Sequence, residues 1–272
     1  MTTTMARGSE MKTTIEARRS FSFGSPLRYP GGKTRAASLI LDYVPESVKT
    51  LVSPFLGGAS VELAATQRGV RVFGYDLFAP LVTFWQCLLE DPHELARRAE
   101  GYLPLSREEF QHLQREIEGY RIDRFEYAAI FFVINRSSFS GSTLSGGMSP
   151  GHPRFTPSAI ERVRQFLNPC LEVRRASFED SLARHPSTFA YLDPPYLIES
   201  ALYGNRGDTH RGFDHTGLCD LMRARGGWVL SYNDCPEIRR MYQGYRILTP
   251  TWQYGMSADK RSREVLILSG DF

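Results

Sequence analysis

The residues best suited to chemistry form the run Asp193-Pro194-Pro195-Tyr196, at the end of an apolar segment that resembles a strand. A carboxylate at the carboxyl end of a parallel strand faces the ligand crevice of an α/β sheet. Two consecutive prolines fix φ and donate no hydrogen bond, so their carbonyl groups stay free to accept. Tyr196 adds an aromatic face. The group suits an enzyme that acts on a nucleobase amino group; the alternative is a turn in which Asp193 caps a helix and Tyr196 packs.

Two glycine turns precede this run. One, ending in Gly32, leads through Lys33 into a helical pattern, and the other contains Gly57 and Gly58 after the apolar run TLVSPF. A second strand then ends at Asp76, 19 residues beyond Gly57. This order predicts a βαβ unit with a parallel sheet, in which Asp76 could take the hydroxyl groups of a ribose. Because the loop is not GxGxxG, a nicotinamide dinucleotide site is a weaker alternative.

Strand patterns occur on both sides of a long helical block. They return as TFAYLD, WVLSY and VLIL, at residues 188–193, 228–232 and 265–268. We therefore predict one α/β domain with a helical insertion. Its segments are a flexible tail (1–24), the two parts of the catalytic domain (25–89 and 170–272) and the insertion (90–169).

The helical block carries clear start signals. Ser106 and Glu109 form a capping box, and Thr156-Pro157 mark the start of a later helix. Phe125–Ile134 is a strongly apolar helical run, followed by a Ser/Gly-rich loop over residues 136–157. A loop of that length is more often functional than structural.

Composition limits the class of protein. The chain has 272 residues, 42% hydrophobic and 23% charged, which is ordinary for a globular protein. It contains neither a long apolar run nor a signal sequence, so we expect a soluble, cytoplasmic protein. Four scattered cysteines without a CxxC pair predict free thiols and no metal site. The net charge of +3 permits an anionic partner.

Three motifs together resemble the signatures of Dam-type DNA adenine-N6 methyltransferases, in the order of that family's alpha group. They are Arg28-Tyr29-Pro30-Gly31-Gly32-Lys33, Phe55-Leu56-Gly57-Gly58 with Ser60, and Asp193-Pro194-Pro195-Tyr196. The resemblance covers residues 25–270. It implies a Rossmann-like class I methyltransferase sheet with an inserted helical target-recognition subdomain. It also implies S-adenosylmethionine as cofactor, double-stranded DNA as partner, a monomer or weak dimer, and a bacterial or phage-encoded protein near the nucleoid.

The resemblance also implies roles for particular residues. Asp193 and the Pro194 carbonyl would accept hydrogen bonds from the amino group of a flipped adenine, and Tyr196 would stack on the base, with Pro195 completing the motif. The implied cofactor-binding residues are Tyr29, Gly32, Lys33, Phe55, Gly57, Gly58, Ser60, Asp76, Leu77, Ser177, Phe178 and Asp193. Lys33 would meet the methionine end of the cofactor, and Phe178 would stack on its adenine, although core packing is an alternative for Phe178.

DNA contact is expected from loops. The implied residues are Arg136, Ser138, Phe139, Ser140 and Asn233, with strand capping as the alternative for Asn233. Further candidates for phosphate contacts, with a solvated surface as the alternative, are Arg154, Arg206, Arg211, Lys260, Arg261 and Arg263.

Three positions depart from the family pattern. Ser140 and Leu144 stand where members that recognise GATC carry Asn and Arg, and Leu144 cannot make a bidentate contact to guanine. The sequence therefore favours a different site or relaxed specificity. Ser53 stands where many relatives carry an acidic residue, which affects one contact to the cofactor. The alternatives are a cytosine-N4 methyltransferase, an RNA adenine methyltransferase, or an inactive DNA-binding protein of the same fold.

Overall fold

The computed structural model describes residues 24–29, 31–117, 123–144, 146–149, 154–197, 212–250 and 264–270. Its strands are β1 (Thr50–Ser53), β2 (Arg71–Asp76), β3 (Leu171–Arg175), β4 (Phe189–Leu192), β5 (Trp228–Asn233), β6 (Arg246–Leu248) and β7 (Glu264–Leu268). Its α-helices are α1 (Ala37–Leu41), α2 (Ser60–Gln67), α3 (Ala79–Glu90), α4 (Pro92–Glu100), α5 (Arg107–Glu116), α6 (Arg124–Ser137), α7 (Pro157–Arg164), α8 (Phe178–Arg184), α9 (His215–Arg223) and α10 (Pro236–Met241).

The strands form one sheet in the order β3-β2-β1-β4-β5-β7-β6. The first five of these strands run parallel, whereas β7 lies antiparallel between β5 and β6. This confirms the predicted α/β class. Strands β1 to β3 form one half of the sheet, and β4 to β7 form the other half. The carboxyl ends of the neighbouring strands β1 and β4 therefore border the switch point, where ligands bind in open α/β sheets.

Most predicted strands are present with shifted ends. β1 ends at Ser53 rather than at Phe55, because Pro54 has no N–H to continue the ladder. β3 and β6 were not predicted, because β3 has only two buried positions and β6 only three residues, and both carry too short an alternation to recognise.

The first helix starts later than predicted from the glycine turn. The Ala36 N–H bonds the Lys33 carbonyl at 2.9 Å, an i to i+3 contact of the tighter 3-10 kind. Regular α-helix begins only at Ala37. Lys33 therefore lies in a tight turn rather than in the helix itself.

Five helices, α3 to α7, lie between β2 and β3. The predicted caps Ser106 and Thr156 are present, and each accepts a hydrogen bond from a first-turn N–H. Asp123, which was not predicted, caps α6 in the same way. The middle of α6 is buried on all sides, and its residues belong to the same apolar cluster as Leu51 of the sheet. These helices thus share a core with one face of the sheet.

In the described residues, no helix combines the length and hydrophobicity needed to cross a membrane. The four cysteines are all free thiols, as predicted.

Candidate active site

A cavity of about 630 Å³ opens at the carboxyl ends of β1, β2 and β4. This volume lies in the range of small-molecule sites. Its lining includes every residue for which the sequence predicted a catalytic or cofactor role. These are Tyr29, Gly32, Lys33, Phe55, Gly57, Gly58, Ser60, Asp76, Leu77, Ser177, Phe178, Asp193, Pro194, Pro195 and Tyr196.

At one end of the cavity, Lys33 joins the residues of the Asp-Pro-Pro-Tyr run. Its Nζ donates to both carboxylate oxygens of Asp193 at 2.9 Å and to the Tyr196 hydroxyl at 2.8 Å. The Tyr196 hydroxyl in turn donates to Glu264 of β7, which lies 3.4 Å from Lys33 Nζ. Lys33 therefore contacts the Asp193 carboxylate directly, whereas the sequence analysis expected Lys33 to meet the methionine end of the cofactor.

Burial and charge oppose each other in this cluster. Burial raises the pKa of Asp193 above its ordinary value, although the charge and hydrogen bonds of Lys33 act to lower it. Burial likewise raises the pKa of Glu264 against the effect of Lys33. For Lys33, burial acts to lower the pKa, but the two carboxylates outweigh it and the pKa is raised. The ammonium group of Lys33 thus remains charged and favours the ionised form of Asp193.

The other end of the cavity is built around Asp76 at the end of β2. Its carboxylate accepts hydrogen bonds from the N–H of Gly57 at 3.1 Å and of Phe78 at 2.9 Å. Burial raises its pKa, against these hydrogen bonds. Backbone donors therefore orient the carboxylate at the cavity wall, where the sequence predicted a contact to ribose.

The Gly57-Gly58 turn allows Tyr29 to pack against it. A Cβ on Gly58 would lie 2.8 Å from the Tyr29 Cβ, and one on Gly57 would lie 3.0 Å from the Tyr29 ring. Gly57 also has a φ of +47°, which favours glycine. The indole N–H of Trp85 donates to the Gly57 carbonyl at 3.1 Å and fixes the turn from behind.

Three phenylalanines form an apolar wall of the cavity. The Phe178 ring centroid lies 5.8 Å from that of Phe55 and 5.4 Å from that of Phe213. Ser177 caps α8 by accepting from the Asp180 N–H at 3.1 Å, which positions Phe178 in the first turn. Leu77, with 58% of its surface exposed, also lines the cavity. Such a slot suits a flat aromatic ligand.

A buried carboxylate that the sequence analysis missed also lines the cavity. Glu62, in the first turn of α2, is only 2% exposed, and its carboxylate accepts a hydrogen bond from Ser53 Oγ at 2.6 Å. Ser53 is thus not acidic itself but holds an acidic group at the end of β1.

The turn after α6 is fastened to the segment before Lys33 by Asn135. Its side chain accepts from the Arg28 N–H at 2.9 Å and donates to the Arg28 carbonyl at 2.7 Å. Gly141, with a φ of +76°, closes the turn beneath Arg28. Because Gly141, Thr143 and Leu144 also line the cavity, this clamp connects the helical block with the site.

Replacing Gly141 by alanine is expected to destabilise the protein by about 3 kcal/mol, since the new Cβ would combine a clash with an unfavourable φ. It would lie 2.3 Å from the Arg28 carbonyl oxygen. Gly147→Ala is the matched control, because nothing lies within 4 Å of its Cβ position. Urea unfolding of both variants measures the difference, and equal stability would contradict the proposed clamp.

The residues predicted to contact DNA fall into different environments. Phe139 is 60% exposed in a 3-10 turn that also contains Ser140, and Leu144 packs against the core. Ser138 is fully buried, and its hydroxyl accepts from the Thr143 N–H at 3.0 Å, so it acts inside the turn.

Asn233 at the end of β5 also makes internal bonds. Its side-chain amide pairs with the N–H and carbonyl of Leu197 at 3.0 and 2.9 Å, which fixes the chain just after Tyr196. Lys260, Arg206, Arg211, Arg261 and Arg263 lie outside the described residues.

Arg136 lies in a group of four arginines. Its Nε donates to the Arg154 carbonyl at 3.0 Å. Burial, together with the charges of Arg162, Arg28 and Arg154, lowers its pKa to about 10. Burial and the charge of Arg154 lower the pKa of Arg28 as well. Arg154 and Arg162 are exposed, so the group presents positive charge to solvent.

Glu62, Glu264 and Phe213 are the site residues that sequence reasoning missed. Glu62 has the form of an ordinary first-turn helix acid, and Phe213 follows a segment without a recognisable motif. Of these three residues, only Glu264 could have been noticed in the sequence, because it is a charged residue at the start of the apolar run EVLIL. Among the described residues, no group of three or more His, Cys, Asp or Glu side chains could hold a metal ion.

The sheet order, and the cavity at its switch point with the Asp-Pro-Pro-Tyr run in its wall, are those of a methyltransferase-type α/β fold. Residues 29–256 match the family model of the D12 class N6 adenine-specific DNA methyltransferases. The chain belongs to that family.

A curated relative is the modification methylase StsI of Streptococcus sanguinis, which is 26% identical over 208 residues. The match covers 70% of this chain and 30% of that protein.

Proposed function

We propose that this chain transfers a methyl group from S-adenosylmethionine to the N6 amino group of adenine in double-stranded DNA. The observation that supports this proposal best is the Asp193 carboxylate, which forms an ion pair with Lys33 and is followed by two prolines and Tyr196. All of these residues line the cavity of about 630 Å³, a volume large enough for the cofactor. Family membership supports the class of reaction and substrate.

The cavity fits this cofactor in its described features. Asp76 offers an oriented carboxylate for ribose hydroxyls, and the slot beside Phe178 suits an adenine ring. The glycines of the 57–58 turn lie where a side chain would fill the space beside Tyr29. The bound cofactor would supply an electrophilic methyl group on a sulfonium.

The chain's own residues would prepare the amino nitrogen. That nitrogen is a weak nucleophile because its lone pair is delocalised into the ring. Hydrogen bonds to Asp193 and to the Pro194 carbonyl favour a more tetrahedral nitrogen and stabilise the positive charge that develops on it. Tyr196 offers a stacking face for a base that has left the duplex.

We propose that DNA lies across the arginine group formed by Arg28, Arg136, Arg154 and Arg162. Clusters of arginine commonly contact DNA phosphates, and the exposed ring of Phe139 would stack on a base. Residues 90–169 would then act as the target-recognition insertion. Leu144, packed against the core, offers no base-reading group, which supports a site other than GATC or relaxed specificity.

Neutralising Arg154 and Arg162 together, as glutamine, is expected to weaken DNA binding uniformly across sequences. Each lost phosphate contact should lower the slope of log K against log salt by about 0.9, so the pair should lower it by about 2. Replacing Arg223 of α9 and Arg240 of α10 together by glutamine removes the same number of charges elsewhere on the surface and serves as control. Fluorescence anisotropy over a salt series measures the slope, and an unchanged slope would contradict this docking surface.

The proposed function is tested with purified protein, isotope-labelled S-adenosylmethionine and plasmid DNA from a host without DNA methylation. We expect label in the DNA, and single-molecule sequencing to find modified adenines outside GATC. Modification confined to GATC would contradict the proposed specificity. Cofactor binding with no label in DNA would instead support the inactive DNA-binding alternative.

A further inference from the structure

Glu62 is a buried acid without an assigned role in the reaction. It is 2% exposed, lies in the cavity wall and is held by Ser53 Oγ at 2.6 Å. Ionised carboxylates are rarely buried unless a charge or several hydrogen bonds compensate them. A perturbed carboxylate that faces a cavity is a candidate binding group.

The position of Glu62 along the sheet edge indicates which part of a ligand it meets. Ser53 ends β1, which lies between β2 with Asp76 and β4 with Asp193. The charges of Asp193 and Lys33 both act on Glu62, whereas Phe178 of the aromatic wall starts α8 shortly after β3, the strand that pairs with β2. A ligand with its nucleoside at Asp76 and its reactive centre at Asp193 would therefore bring its remaining part to Glu62.

The charge balance at this end favours a cation. Three buried or half-buried carboxylates, those of Glu62, Asp193 and Glu264, accompany the ammonium of Lys33. That ammonium already contacts both oxygens of Asp193. The described residues at this end thus include three carboxyl groups but one ammonium group, and a cationic ligand group would compensate the ionised form of Glu62.

We propose that Glu62 binds the α-ammonium group of the methionine part of S-adenosylmethionine, with Ser53 as the residue that positions its carboxylate. This inference rests on the proposed function. In this arrangement Lys33 contacts Asp193, and Glu62 of α2 recognises the amino group of the cofactor.

The inference gives the affinity a pH dependence. Burial raises the pKa of Glu62 to about 7, against the hydrogen bond from Ser53. The charged or titratable groups around it are Lys33, Asp193 and Tyr191. Since the carboxylate must be ionised to bind an ammonium, affinity should increase as the pH rises through about 7. The Glu62→Gln variant should lose this dependence.

The test compares two ligands by calorimetry. S-adenosylmethionine carries the amino group, whereas 5′-methylthioadenosine shares its nucleoside but lacks the amino-acid part. Glu62→Gln is expected to weaken binding of the first by about 10- to 100-fold, the usual effect of losing a charge-assisted hydrogen bond. The second should change by less than about 2-fold, because it makes no contact with Glu62. Asp76→Asn, as control, should weaken both ligands.

Equal weakening of both ligands by Glu62→Gln, or no weakening of either, would overturn the inference. Should that variant not fold, Ser53→Ala provides the same comparison with a smaller expected loss, about 5-fold for S-adenosylmethionine alone. Unchanged affinity of Ser53→Ala would then overturn it. If the unmodified protein binds neither ligand, the proposed function itself fails, which is a distinct result.

Discussion

Replacing Asp193 by alanine is expected to lower the rate of methyl transfer by about 10³-fold, since the change removes the charged acceptor at the nitrogen where positive charge develops. Asp193→Asn keeps an acceptor oxygen but loses the charge, so we expect an intermediate loss of about 10²-fold. Cofactor affinity should change far less than the rate. Single-turnover assays with labelled cofactor measure both quantities.

Asp220→Ala is the matched control for this experiment. Asp220 is an exposed carboxylate on α9, and its removal should leave the rate unchanged. The thermal unfolding of each variant shows whether the fold is retained. A folded Asp193→Ala protein with a rate near that of the unmodified enzyme would contradict the assigned role.

Replacing Lys33 by methionine is expected to impair both stability and activity. The variant leaves Asp193 and Glu264 without their shared cation, and breaking such a buried pair costs about 3 kcal/mol or more. Lys33 lowers the pKa of Asp193, so its removal should raise that pKa further. Activity that needs ionised Asp193 should then appear only at higher pH than in the unmodified protein.

The stability of the Lys33→Met variant should fall as the pH rises, whereas its activity should increase. Carboxylates with a raised pKa bind protons more tightly in the folded than in the unfolded state. The stability of the variant is therefore retained below the unfolded-state carboxyl pKa of about 4. It is lost as the pH rises from that value through the raised folded-state pKa of the two carboxyl groups. Lys49→Met is the control, because Lys49 is exposed and its ammonium group donates to the Glu46 carbonyl rather than to a carboxylate. Equal stability and pH profiles for the two variants would contradict the role of Lys33.

Local signals were sufficient to predict much of the fold and the cavity. β4 is a short apolar run that is buried along its whole length, and Asp193 directly follows it, so the run and its charged end were visible in the sequence. The meeting of Lys33 with Asp193 was less accessible, because the two residues are 160 positions apart. The sheet order places β1 beside β4, and a hydrogen bond of 3.1 Å between Thr34 and Ser60 joins the Lys33 segment to the helix that follows β1.

Side-chain partners that depend on distant segments could not be predicted. Glu264 reaches Tyr196 because β7 inserts antiparallel beside β5, and no local pattern specifies that pairing. Asn233 was predicted at the DNA surface, but both ends of its amide bond the backbone of Leu197. Ser138 was predicted there as well, although the turn buries it.

The identity of the methylated nucleoside tests the central claim most directly. The protein would be incubated with S-adenosylmethionine and an equal mixture of unmethylated duplex DNA and RNA, and all nucleosides would then be quantified by mass spectrometry. We predict N6-methyl-2′-deoxyadenosine as the product, absent when Asp193→Ala replaces the enzyme. N4-methyl-2′-deoxycytidine or N6-methyladenosine as the main product would contradict the assignment of this site to adenine in DNA.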